Sequence, residues 1–279
     1  MFQIATLYGN TNSDLDSFLK PIVKELELLS TKGMVVKKNG DEVARACVIP
    51  LVVSGDIPGV SKILHHQGHG SFYGCRFCYT CGEHGPSGQG MYFEQRNCQI
   101  RPKDCLLPTD DQLRLPRPEP RLNRNNITKA NAFKNTVSFT GIEFFGLDEM
   151  HLISNMAKQI YRMLTPMDRK KYIPENLNEN DYPFLLSHQA FTLIEQGMND
   201  SRRRIPLAFS GCFKGITEKS TKSYRSVDWI DFLVYVIPTL VVPLLVHIPT
   251  QKAVLALVRA CTLALQWNIT ESEIDEIHR

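Results

Sequence analysis

The chain has 279 residues, 43% hydrophobic and 22% charged, with a formal net charge of +3. That composition is ample for one large core or two modest ones, and it excludes disordered, collagen-like and disulfide-scaffold classes. The bulk charge is too small to argue for nucleic-acid binding, so any such case must rest on local clusters.

The opening Met1-Phe2-Gln3-Ile4-Ala5 lacks the basic flank and long apolar stretch of a secretory signal, so the chain reads as intracellular. Residues 13–32 follow as an amphipathic helix. Ser13 or Asp14 caps its start, and Leu15, Phe18, Leu19, Ile22, Val23, Leu26 and Leu29 recur at helical spacing. Pro21 interrupts that pattern and suits a first turn, which leaves open a helix that begins there. Val35 and Val36 then lead into Asn39-Gly40, a favoured two-residue hairpin turn. The expected return strand runs from Ala44 to Val53, and its continuously apolar second half predicts burial on both faces. It ends in Ser54-Gly55-Asp56-Ile57-Pro58-Gly59, and an acidic residue at the end of a buried strand is held rigidly at a solvent boundary.

From residue 65 to about 130 the composition changes to histidines, glycines, a cysteine cluster and the Pro-Arg stretch Leu115–Arg121, which predicts an insert followed by an extended connector. Further on, 147–164 predicts a helix with Met150, Ile153, Ala157, Ile160 and Leu164 as its apolar stripe, and helical patterns return at 184–198 and 251–267. Residues Phe232–Ile248 are apolar but contain Pro238 and Pro243 and fall short of the ~20 residues a membrane span needs, so they predict buried segments of a soluble core.

Three of the eight cysteines, Cys75, Cys78 and Cys81, lie within seven residues. Without secretion such a cluster points to metal rather than disulfides. Cys75-Arg76-Phe77-Cys78 places two thiolates where one structural zinc ion can be gripped from a tight turn, and Cys81, His84 and His69 are near enough in sequence to complete the site. A reduced thiol cluster without metal is the competing reading. Asp56, Asp148 and Glu149 are the acidic candidates, because converging carboxylates can hold two divalent cations for phosphodiester chemistry. Asp56 as the cap of a turn and Asp148 as the cap of a helix are the plainer alternatives. Basic residues gather in Arg202-Arg203-Arg204, in the run Arg114–Lys134 (six basic against one acidic), and at Lys214, Lys219, Lys222 and Arg225. Each can meet phosphates, but such a cluster is more often a solvated face, and none is dense enough to decide the matter.

Taken in order, these segments resemble the transposases of CACTA-type (En/Spm) DNA transposons of the fungal and plant lineages. Residues Asn12–Leu26 are similar to the family segment ending in Leu-x-Pro-Leu-x-x-Glu-Leu, Ser54–Pro58 to its Asn-Asp-Phe-Pro motif, Gly74–Cys78 to its Cys-x-x-Cys, and Leu147–His151 to its Leu-Asp-x-Met-His motif. Ser226–Phe232 and the tail to Ile277 look like the family's following helical region. The resemblance implies an α/β fold: an incomplete ribonuclease-H-like core (1–64), the zinc-type insert and connector (65–130), a helical continuation of the core (131–200) and a mostly helical C-terminal region (201–279). It further implies Mg²⁺ or Mn²⁺ in the parent family's active site, transposon-end DNA as partner with homo-oligomerisation open, nuclear location and no membrane. Asp56 corresponds to the second catalytic acid, and the third lies on the helix beginning near Asp148. Two departures bear on activity. The family's first acid lies upstream of the segment matched by 12–26, and none of the eleven residues preceding that segment here is Asp or Glu. Plant relatives carry a glutamate where this chain has Ile153. The expectation is therefore a transposase-derived fragment inactive in cleavage alone, with a recruited, non-catalytic DNA- or protein-binding module as the alternative.

Overall fold

The computed structural model describes residues 14–84, 91–93, 98–109, 125–165, 182–202, 204–206 and 213–279. The Pro-Arg stretch 115–121, Arg203 and Cys212 lie outside them. The chain divides into two compact units, Met1–Asp148 and Glu149–Arg279.

The first unit opens with helix α1, Leu15–Lys32. Asp14 caps it by accepting the Asp16 amide at 3.2 Å, so the helix starts ahead of Pro21, which lies inside it. Gly33, at φ 76°, turns the chain out of the helix. Strands β1 (Met34–Lys38) and β2 (Asp41–Ala46) follow as an antiparallel hairpin. Asn39 and Gly40 take φ of 55° and 95°, the left-handed pair that a two-residue turn of this hand requires. Arg45 ties the hairpin to α1 by donating to the Lys32 carbonyl at 2.8 Å.

The expected return strand is shorter than its hydrophobicity implies. Regular pairing ends at Ala46, every residue of β2 is exposed, and Ile49, Leu51 and Val52 stand 47%, 75% and 55% exposed. The apolar run finds no continuous partner among the described residues. It makes one parallel bridge, Val53 with Phe145, in which the Val53 amide donates to the Phe144 carbonyl and the Gly146 amide to the Val53 carbonyl, both at 2.9 Å. A Cβ on Gly146 would lie 3.0 Å from the Val52 side chain, so glycine permits this close approach.

After the bridge the chain enters helix α2, Ile57–Leu64. The short pairs β3 (Glu83–His84) and β4 (Met91–Tyr92) lie in the insert. The core of this unit is built mainly from non-helical segments. Val23, Val60 and Leu64 meet Leu106, Ile127 and Phe133, together with Phe139, Ile142, Phe144 and Phe145. The phenylalanines pack edge to face, with Phe144 and Phe145 at 5.4 Å and 88°.

The second unit is helical: α3 (Glu149–Leu164), α4 (His188–Ser201), α5 (Glu218–Thr221), α6 (Ser226–Asp231), α7 (Ile248–Ala264) and α8 (Glu271–His278). α6 continues directly into π-helical turns over Phe232–Val241, with Pro238 inside, and a 3₁₀ turn at Val242–Leu244. The stretch Ser226–Leu244 is long and apolar enough to cross a membrane by length and composition alone, at 19 residues and mean hydropathy 1.7. Here Phe232, Leu233, Val236, Ile237 and Val241 are buried in the unit's own core. Ile153, Ala157, Ile160, Tyr161 and Leu164 of α3 join it at helical spacing, as do Ala190, Ile194 and Met198 of α4. Met150, expected in the α3 stripe, is exposed instead.

Candidate functional site

Asp56 ends the apolar run and caps α2: its Oδ1 accepts the Gly59 amide at 2.6 Å. A Cβ on Gly59 would lie 2.5 Å from that oxygen, so the cap depends on the glycine. One oxygen of the carboxylate thus serves the helix start. Asp148 follows Phe145 as Asp56 follows Val53, three residues past the bridge in each case. Parallel pairing sends both acidic segments out at the same end. Glu149 is exposed in the first turn of α3, where its charge complements the helix dipole. Ile153, at the position of the plant family's glutamate, is 3% exposed in the helical core. A carboxylate there would be buried without a partner.

Beside the bridge sits Arg76, within the Cys-x-x-Cys turn. Its Nη2 donates to the Gly146 carbonyl at 2.6 Å and its guanidinium lies 5.0 Å from the Phe77 ring centroid. Its Nε and Nη1 are buried with no hydrogen-bond partner. Burial lowers its pKa from the ordinary guanidinium value, against the opposing charges of Cys75 and Asp148. The turn that carries the thiols is therefore anchored to the segment that carries Asp148.

Of the five proposed zinc ligands, the fold brings Cys75 and Cys78 together, with sulfurs 3.5 Å apart. Two thiolates on one tetrahedral zinc stand roughly 3.7 Å apart, given Zn–S bonds of about 2.3 Å, so the pair fits half of such a site. The other three are not gathered with them. Cys81 is exposed and its thiol faces the Gly82 carbonyl; His84 packs edge-on against Phe72 at 5.7 Å; His69 is exposed. Among the described residues no three His, Cys, Asp or Glu side chains are placed to hold a metal ion.

Cys98, which stands alone in the sequence, comes close to the pair through backbone pairing. Cys78 bridges Ile100 in antiparallel fashion, and the Tyr79 amide donates to the Gln99 carbonyl at 3.0 Å, so Cys98 lies two residues along on the face of Cys78. Burial first, with the neighbouring Cys75 and Cys98 adding to it, pushes the Cys78 thiol up to about 11. Gly85-Pro86-Ser87-Gly88 is a turn signal between the two segments, but the sequence does not give the register that brings Cys98 beside Cys78.

The insert is closed at its base by buried polar groups. Arg101, 2% exposed, donates to the carbonyls of Cys75 (3.0 Å), Asn125 (2.8 Å) and Tyr73 (3.0 Å), and lies over the Tyr79 ring at 4.7 Å. Asn126, at φ 58°, donates to the Tyr73 carbonyl, and the Thr128 amide reaches the His65 carbonyl at 3.0 Å. Burial, then the charge of Arg101, brings His66 down to about 4, so it is neutral here. Asp16 adds a further anchor. It is 2% exposed and takes His65 Nε2 at 3.0 Å and the Lys129 ammonium. Burial alone would raise its pKa, but the Lys129 hydrogen bond and the charges of His65 and Lys129 outweigh it and hold the carboxyl below its ordinary range.

Of the basic clusters, the one at 214–225 is partly neutralised. Lys214 and Arg225 share Asp228 (2.7 and 3.2 Å), and Lys222 pairs with Glu218 at 3.0 Å. The Arg114–Arg124 part of the central run lies outside the described residues. Compared with protein-family models, with curated proteins and with solved structures, the chain matches none of them.

Proposed function

We propose that the chain derives from a transposase, holds DNA and does not cleave it alone. The observation that supports this most directly is the parallel bridge between Val53 and Phe145, which sends the two acidic motif segments out at one end. That is the arrangement the resemblance to CACTA-type transposases calls for. A chemistry resting on two divalent ions needs several carboxylates free to share them. One oxygen of Asp56 already serves a helix cap, and if the plant glutamate is the third acid, the buried Ile153 stands in its place unless Asp148 or Glu149 substitutes. In this reading Cys75 and Cys78 supply two thiolates to a structural zinc that stiffens the insert, with Cys98 brought toward them by the pairing of Cys78 with Ile100. The alternative, a recruited binding module with no catalytic past in use, draws on the helix-capping role of Asp56.

The test is a duplex DNA carrying candidate element ends, scored for binding and for cleavage in Mg²⁺ and in Mn²⁺. Binding that weakens with salt, with cleavage at background, is the expected result. Robust metal-dependent cleavage abolished by Asp56→Ala would overturn the proposal, and so would indifference to DNA. Elemental analysis beside a Cys75→Ser/Cys78→Ser variant tests the zinc, with about one ion per chain in the wild type and none in the variant expected.

A further inference from the structure

Helix α1 presents Asp16, Lys20, Val23, Lys24 and Glu27 along one face, at i, i+4, i+7, i+8 and i+11. Opposite that face runs the segment 129–135, which contributes Lys129, Asn131 and Lys134. Between them lies an open groove of about 430 Å³. Four lysines therefore line one cleft against two carboxylates.

Setting aside the Asp16–Lys129 pair leaves three lysines against one carboxylate. Asp16 sits at the floor, buried, with its charge engaged by Lys129 and His65. Lys20, Lys24 and Lys134 are exposed and have no carboxylate partner among the described residues. Glu27, partly buried, is the one remaining acid on the groove. Lys20 and Lys24 stand one turn apart, about 6 Å along the helix axis. The Asp16 network fixes both walls, because it joins α1 to Lys129 and to the C-terminal cap of α2. A cleft with an excess of ammonium groups, on both sides, attracts a chain of phosphates, and each contact releases a counterion condensed on the nucleic acid.

We infer that this groove is a seat for the phosphate backbone of a nucleic acid, with Lys20, Lys24 and Lys134 as its contacts. The inference rests on the DNA-holding reading above and assigns it to a place. Contacts from lysine to phosphate carry no sequence information, so this seat positions DNA and does not by itself specify a sequence.

The experiment compares the full chain with Lys20→Gln/Lys24→Gln/Lys134→Gln and with a control that loses the same charge elsewhere, Lys38→Gln/Lys62→Gln/Lys252→Gln. Binding to a labelled duplex and to a single strand is measured across a salt series, with inorganic phosphate as competitor. The groove variant is expected to bind about tenfold more weakly, and its dependence of log affinity on log salt to fall by about 2–3, close to one per lost contact. The control should stay near wild type, and circular dichroism should show all three folded alike. Wild-type binding that both variants retain, or that both lose equally, overturns the groove and leaves DNA binding standing. Competition by millimolar phosphate as effective as by DNA would make it a small-anion site and overturn the nucleic-acid assignment. A wild type that binds neither DNA overturns the functional reading itself.

Discussion

The two units are held together by different means. In the second, helices bury stripes of aliphatic side chains, and the polar groups mostly finish helix ends: Ser187 caps α4, Thr270 and Glu273 form a capping box on α8, and Glu195 accepts the Ile216 and Thr217 amides. In the first, long non-helical segments are drawn together by a few buried polar side chains, above all Arg101, Asn126 and Asp16, around a cluster of phenylalanines. A helix satisfies its own backbone, so its stability spreads over many small apolar contacts. A loop-built unit must satisfy its carbonyls from side chains, which concentrates stability in single residues.

That difference can be broken deliberately. Arg101→Met keeps the apolar stem but removes the donor to the carbonyls of Tyr73, Cys75 and Asn125, and should cost the first unit about 3–5 kcal/mol. Amide hydrogen exchange should show protection lost around 65–80 and 125–130 and retained across α3, α4 and α7. Protection falling equally in both units would contradict the division. In the helical unit the corresponding change is Ile194→Ala, at a fully buried position. It should lower stability there by about 2–4 kcal/mol through lost contact and cavity formation, without disturbing the insert. The smallest effect is expected from Asp16→Asn, about 1–3 kcal/mol near neutral pH. Because the folded pKa of Asp16 lies below its ordinary 3.8, its contribution is complete above that value and is lost as pH falls through the folded pKa. Wild type and Asp16→Asn should therefore converge in stability on acidification below about pH 4. A gap that widens there would show that the carboxylate is not the stabilising form.

The same contrast explains what could be read from the residues alone. α1, α3, α4, α7 and the Asn39-Gly40 turn announce themselves through spacing and turn chemistry, which are local. The run Val48–Val53 misleads, because hydrophobicity records a preference for burial and not whether a partner strand exists; one bridge, at Val53, is all it makes among the described residues. Cys98 and Arg101 carry no local signal either. Their roles arise from a backbone pairing some twenty residues back, which periodicity does not register. Lys20 and Lys24 do not stand out in the sequence, because their meaning depends on Lys134 standing across the groove.

The Val53–Phe145 bridge has a consequence for synthesis. Its two halves are 145 − 53 = 92 residues apart. At roughly 5–20 residues per second, the ribosome delivers the second half about 5–20 s after the first. For that interval Ile49, Leu51, Val52 and Val53 emerge as a bare β-prone stretch with nothing to pair against, long enough for a chaperone to find it or for neighbouring nascent chains to stick.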